Sequence, residues 1–479
     1  MSINIPAQKT VRVEPAEPPR GLHGNLGVGG VVFMVLAAAA PLTVIGGNIP
    51  LGVGLGNGSG APMGFVIASA VLLLFSIGFV AMTPYVKEAG AFFSYVTEGL
   101  GSRSGMGIAL VALVAYTAIQ VGIYGYMGWA VNDIVKSYGG PDIPWPVYAF
   151  ATLLFVAWLG YRHIELSAKV LGVALTLEVV VVLAMDLMIF VKGGAAGVNV
   201  DSFRPSVFMQ GSPSVAVLFA LTGFIGFEAT AVFRDEARNP ARTIPRATYV
   251  AVLLLGTFYA VSCWALMIAV GTEHARIVAN ATLAGKGNLL LDNAQAYLGP
   301  IGRDIVNVLL ISSLFACVLS FHNVLARYQH IMSRKALLPA ALGRVHERHR
   351  SPHISSLVQS LTAALIVGVF ALLQLDPLVA VFGSMAGVAT VGMMLLLLFT
   401  SAAVYVFFSR HPDRRAAAPL STSVAPVAAF LSLLGCTVLV LSNFTLVTGG
   451  STVLSVILAA VPFCAFAVGF MRRVEQTGR

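Results

Sequence analysis

Three acids and one histidine sit inside otherwise apolar stretches of this sequence, and each needs a chemical reason to be there. Glu228 follows two glycines in "LTGFIGFEATAVFRDEARNPARTIPRA" (221–247). Glu178 lies in "SAKVLGVALTLEVVVVL" (167–183), with Asp186 two helical turns further on. A carboxyl kept from water is costly when charged and unpaired, so a buried one is by default a functional candidate. Glu178 has three roles open to it: loading and releasing a proton, pairing with a cationic solute, or packing as a protonated or water-satisfied acid. Glu228 can hydrogen-bond loosened backbone beside the glycines or couple that break to a gate. Asp186 either shares in the chemistry or simply reaches interfacial water. His322, in "LSFHNVLARY" (319–328), titrates in the physiological range and can relay protons, or it makes a polar contact between helices. Ser320 and Asn323 beside it are suited to hydrogen bonds across helices. Tyr116, Gln120 and Tyr124 recur every four residues, so they share one helix face, lining either a permeation path or a packing seam.

These groups must be positioned by membrane helices. Of the 479 residues 57% are hydrophobic and 10% charged, against about a quarter charged in a soluble domain. About twelve apolar runs approach the roughly 20 residues that span a bilayer. They fall near 28–56, 62–83, 105–134, 144–161, 167–191, 213–234, 246–270, 301–331, 355–374, 378–408, 422–442 and 452–471. The fold class is an all-α membrane protein. Residues 1–24 read as a disordered cytoplasmic tail, 25–471 as one transmembrane domain, and 472–479 as a short cytoplasmic end. The longest outer connection, about Gly271 to Pro300, has the composition of short helices.

Placing both termini inside puts most of the 29 Lys and Arg residues on the cytoplasmic side, as insertion requires. That distribution accounts for the net charge of +9 without a nucleic-acid partner. The mixed cluster Arg234, Asp235, Glu236, Arg238 and Arg242 falls at this inner face, where it sets topology or forms gate salt bridges. Cys263, Cys317, Cys436 and Cys464 lie in apolar runs and read as small hydrophobes rather than disulfide or metal ligands.

Two spans are interrupted. The first breaks around "AAAAPLTVIGG" (37–47), the sixth around "LTGFIGFEA" (221–229), five spans later. Interrupted segments at corresponding positions of two halves point to a transporter's central site. An odd number of spans per half makes the second half insert upside down, giving repeats of about 28–191 and 213–408, with extra helices at about 422–471. Freed N–H groups and carbonyls survive at mid-membrane only against protein, water or ligand. Half-helix N-termini suit an anion and C-termini suit a cation. A small zwitterion or cation fits such a cradle.

At this point the chain resembles the amino acid–polyamine–organocation permeases. The resemblance is carried by "GFIGFEATAVFRDEARNPARTIPRA" (223–247), "FHNVLARYQHIMSRKALLPAALGRVHERHRSPH" (321–353) and "YVKEAGAFFSYVTEGLG" (85–101). It implies a LeuT-like 5+5 inverted repeat plus two helices, and alternating access between helices one and six. It places the substrate against Ala40, Pro41, Leu42, Thr43 and Val44 in the first break and Thr222, Gly223, Phe224, Ile225 and Gly226 in the second. Glu178 falls where some proton-coupled relatives carry a lysine. Two departures stand out. Pro41-Leu42-Thr43 replaces a common Gly-Ser-Gly, which removes one N–H donor for a carboxylate and leaves the Leu42 and Thr43 amides and the Thr43 hydroxyl. Thr222 stands where relatives often have an aromatic gate, so the gating falls to Phe224 or Phe219, or the gate is looser.

No Walker motif or His-Glu-x-x-His is present, so no enzyme, cofactor or metal is expected. The reading is a secondary active permease of the cell membrane for an amino acid or organic amine, driven by protons, with exchange as the alternative. The candidate coupling and gating residues are Glu178, Glu228, His322, Tyr116 and Gln120. A substrate-sensing receptor is the alternative of a different class; it would need a signalling tail, for which the two ends offer little.

Overall fold

Apolar runs leave the backbone no water to bond, so each run must satisfy itself internally, and the α-helix does so. The computed structural model describes residues 26–86, 91–162, 168–228, 230, 237–335, 337–346 and 351–472. Among these, nine helices are long and apolar enough to cross a membrane. The first of the nine runs, Val28–Tyr85, holds two of the expected spans, and shorter apolar helices cover Trp145–Tyr161 and Pro213–Thr222.

The first span is α1 (Val28–Ala39) followed, after Ala40, by α2 over residues 41–57, where α- and π-helical turns alternate. Then come α3 (Ala61–Met82), α4 (Ala91–Leu100), α5 (Ser102–Ser137), α6 (Trp145–Tyr161) and α7 (Ala168–Lys192). The sixth span opens with α8 (Pro213–Thr222) and breaks. Next are α9 (Pro240–Val270), the short α10 (Ala275–Leu283) and α11 (Leu289–Arg334), which bends at Gly299 and Pro300. The outer connection therefore does contain short helices. The chain closes with α12 (His353–Leu372), α13 (Ser384–Ser409), α14 (Ala425–Ser442) and α15 (Thr452–Met471).

Burial sorts these helices. The most apolar stretch of α5 is 83% buried and that of α15 only 17%, so α5 runs through the core and α15 lies on the rim. α7 shows how sequence sets orientation. Val173, Leu177, Val180, Leu187 and Val191 are exposed at helical spacing, while Glu178 and Asp186 turn inward with Val182, Met185 and Ile189. The lipid stripe on one face thus forces both acids into the bundle.

Both ends of the broken spans are tied. Leu26, just before α1, pairs in parallel with Ala237, and its carbonyl accepts from the Arg238 N–H at 3.0 Å. Val31, Val32, Ala237, Ile244 and Ala247 form an apolar cluster beside that link. Of the mixed-sign cluster expected here, Arg234, Asp235 and Glu236 lie outside the described residues. At the opposite end the Gly56 carbonyl accepts from Arg276 Nη2 and from the Ser212 N–H, both at 3.1 Å. That contact joins α2, α10 and the entrance to α8.

α15 meets α5 at a glycine crossing. A Cβ on Gly107 would lie 2.7 Å from the Phe466 ring, and one on Gly469 would lie 2.6 Å from the Met106 carbonyl. Gly107→Leu should therefore lower the melting temperature of the purified protein, at an overpacking cost of about 1–3 kcal/mol. Gly435→Leu on α14, where an added Cβ meets nothing within 4 Å, should leave it unchanged. Equal effects of the two changes would contradict the crossing.

Candidate functional site

The first break is narrower than its sequence suggests. Ala40 alone adopts the left-handed conformation, φ 46° and ψ 74°, and helix resumes at Pro41. A proline excludes its predecessor from the α region and itself fits the first helical position. The expected unwinding over 37–47 is thus compressed into one residue, because Pro41 restarts the helix at once. Its amides are also spoken for. The Thr43 and Val44 N–H groups both return to the Ala40 carbonyl, at 3.0 and 3.4 Å. The Leu42 N–H faces the carboxyl of Glu178, which reaches across from α7 and also accepts from Ser313 Oγ of α11 at 2.9 Å. Ala40, Pro41, Glu178, Ser312 and Ser313 line a cavity of about 20 Å³, the room of one water.

The second break begins where α8 ends. The N–H groups of Phe224 and Ile225 bond the Leu221 and Thr222 carbonyls at 3.0 and 3.1 Å, and the chain then turns at Gly226, φ 112°. Only glycine takes that conformation at little cost. Glu228 folds back on the turn: Oε2 accepts from the Gly226 N–H at 2.9 Å, and Oε1 accepts from the Tyr116 hydroxyl at 2.7 Å. One buried carboxyl therefore closes the break and fastens it to α5.

The breaks touch. A Cβ on Gly223 would come 2.9 Å from Val44 Cγ1, and Asn48 Nδ2 donates to the Phe219 carbonyl at 3.0 Å. Between them lies a second cavity of about 20 Å³, lined by Ala38, Ala39, Thr43, Val44, Asn48, Ile119, Ile123, Thr222, Ile225, Cys317, Phe321 and Phe382. The Thr43 hydroxyl, buried, has no hydrogen-bond partner among the described residues. With both ends tied, the cavity has room for one water and not for an organic solute.

The structure brings Thr43, Val44, Thr222 and Ile225 to this cavity, and Ala40 and Pro41 to the one beside Glu178. Leu42, Gly223, Phe224 and Gly226 line neither. Phe224 packs edge-on against Tyr259, 5.9 Å between ring centres, and Phe219 is fully buried, so the aromatic walls come from Phe321 and Phe382 instead. Gln120 sits in a buried amide chain: Gln359 Nε2 donates to its Oε1 at 2.7 Å, and Gln329 donates to Gln359 at 2.9 Å. His322 Nε2 lies 2.9 Å from Ser356 Oγ, also away from the cavity. Tyr124 is buried beside Gln120's helix turn and lines neither cavity, and Asp186 accepts from Ser262 Oγ at 2.6 Å. Cys317 is a cavity wall, its sulfur 4.0 Å from the Ala38 carbonyl. Asn48 and Ser313 went unpredicted. A lone Asn in "VIGGNIPLG" (44–52) was a readable signal; Ser313 and Phe382 carried none.

Comparison with known proteins now fits this geometry. Amino acid permeases, as a family, match residues 26–465. The chain belongs to the amino acid permease family. The permease is 24% identical over 433 residues to the branched-chain amino acid permease BcaP of Bacillus subtilis, covering 84% of this chain and 87% of that protein. It is 23% identical to the low-affinity putrescine importer PlaP of Escherichia coli K12, over 78% of each chain. The fold matches a crystal structure of an Eremococcus coleocola manganese transporter mutant, with a TM-score of 0.58 at 14% identity, covering 94% of this chain and 96% of that one. Members of the family are transporters rather than enzymes, and the all-helical transporter fold agrees.

Removing the Glu228 carboxyl from the permease leaves the Gly226 N–H and the Tyr116 hydroxyl buried and unpaired, at about 1–3 kcal/mol each. Glu228→Leu should lower the melting temperature and speed amide exchange at residues 223–228. Tyr116→Phe should do less of both. Unchanged exchange in Glu228→Leu would show that the carboxyl does not hold the turn.

Proposed function

We propose that this permease is a secondary active transporter of an amino acid or related organic amine, working by alternating access around the cavity between the two breaks. The observation that carries this is the meeting of two interrupted helices at a small, mixed-polarity cavity, with separate contacts tying the chain at either end of the breaks. The relatives named as amino acid and putrescine carriers support the substrate range. In this reading the chain crosses the cell membrane twelve times, in two inverted halves with two added helices, with both termini cytoplasmic. Opening breaks either the Leu26–Ala237 link or the Gly56 contacts, never both at once.

Glu178 is the proton site in this reading. Its carboxyl sits at the N-terminal end of α2, where a negative charge is stabilised by the half-helix dipole and by the Leu42 N–H. Protonation weakens that attachment and frees α2 to shift against α7 and α11. Proton loading is thereby linked to the same break that lines the substrate cavity. Glu228 and Tyr116 hold the second break to α5 and act as positioning residues.

The test is uptake of a labelled amino acid and amine panel into proteoliposomes, with and without an inward-acid gradient. The wild type should accumulate at least one member against its gradient when the outside is acid. Glu178→Gln should lose that accumulation and retain counterflow exchange. Accumulation that survives in Glu178→Gln would remove Glu178 from coupling, and uptake that ignores the gradient yet needs preloaded substrate would make the protein an exchanger.

A further inference from the structure

We propose that the basic step between α13 and α14 is a binding site for an anionic phospholipid, whose phosphate sits on Arg414 and Arg415 and whose acyl chain lies along α14. α13 ends at Ser409, and Arg410, Arg414 and Arg415 follow at once. Arginines at the end of a membrane span commonly trail into water as loose, solvated charges. Two of these are held. The Arg414 guanidinium lies over the Tyr85 ring, 4.4 Å from its centre, and that of Arg415 lies 5.3 Å from the centre of the Tyr405 ring. Arg415 Nε also donates to Ser423 Oγ at 2.7 Å. These contacts orient each fork and leave its terminal N–H groups open. The ion pairs among the described residues are Lys136–Asp142 and Arg204–Asp201, so Asp413, exposed on the same step, neutralises none of the three arginines by contact. His411 is tied to the Phe407 carbonyl, 2.8 Å from its Nδ1. Two planar forks are thus preset for the bidentate geometry that phosphate takes.

The surface beside the forks decides between a lipid and a free anion. Ser423, which Arg415 holds, directly precedes Val424 and stands one helical turn before Val427. From there the exposed side chains run down α14 at spacings of three and four: Val424, Val427, Leu431, Leu434 and Val438. The forks therefore sit at the head of a continuous apolar stripe roughly 20 Å long at about 1.5 Å per residue. That exceeds the ~15 Å depth of hydrocarbon in one leaflet. A free phosphate would use the forks and leave the stripe idle. A zwitterionic lipid would use the stripe but bring its own cation to the forks. An anionic phospholipid matches both.

The experiment titrates the purified full-length protein in detergent with dioleoyl phosphatidylglycerol, dioleoyl phosphatidylcholine or inorganic phosphate. Bound lipid is counted by native mass spectrometry, and stability is read as melting temperature. Phosphatidylglycerol should bind at least fivefold more tightly than phosphatidylcholine and raise the melting temperature, the gain shrinking as salt rises. Inorganic phosphate should displace none of it. Arg414→Gln/Arg415→Gln should bring the two lipids level, while Arg204→Gln, at an arginine already paired with Asp201, should keep the preference. If that double variant fails to fold for want of the Ser423 bond, Arg410→Gln/Arg414→Gln leaves the bond in place and should cut the preference at least threefold. Equal binding of the two lipids by the wild type, or binding of neither, would overturn the inference. So would a preference that survives in the folded variants. Displacement by inorganic phosphate alone would make the step a simple anion site and overturn the lipid assignment.

Discussion

Backbone left open in a water-free interior has to find a partner, and that requirement organises this molecule. Interrupting a helix frees N–H groups and carbonyls that water would satisfy at a surface but cannot reach here. The chain meets the demand with two carboxyls brought from elsewhere in sequence or folded back locally. Glu178 comes from α7 to the start of α2, and Glu228 turns back to Gly226. Each carboxyl then recruits a hydroxyl from a third helix, Ser313 and Tyr116 respectively. The breaks are therefore knots in a hydrogen-bonded network and not loose joints.

The rest of the packing serves these knots. α7 turns its acids inward because its other face is given to lipid, and α5 can deliver Tyr116 because it runs through the core. Close approaches at Gly46 and Gly47, where an added Cβ would fall 2.5 Å and 2.7 Å from Tyr126, press α2 against α5. Gln120 and His322, which lie off the cavity, have structural partners. Gln120, Gln359 and Gln329 bridge α5, α12 and α11, and His322 joins α11 to α12 through Ser356.

Much of this was written in the sequence, for physical reasons. Helix positions follow from long apolar runs, and the ends of α6, α7 and α15 fall within a residue or two of where hydropathy places them. Both breaks could be read from Gly and Pro in membrane-length runs. Their extent could not, because it depends on how quickly Pro41 restarts the helix and on which distant carboxyl caps it. Tyr116 and Glu228 were each visible as polar residues in apolar surroundings; that they meet is a fact of tertiary packing between α5 and the sixth span. Phe321 and Phe382 as cavity walls were illegible, since an aromatic in an apolar helix looks the same whether it faces core, lipid or solute.

The short pairing of Leu26 with Ala237 has a mechanical corollary. It splices the lead-in of α1 to the segment that follows the sixth-span turn, while Gly226 rests against Ala38 on the same side of the cavity. Two strands of chain lashed at both points cannot swing independently. They part only if the Leu26–Ala237 pairing is broken first, so that one pairing governs whether the two segments move together or apart.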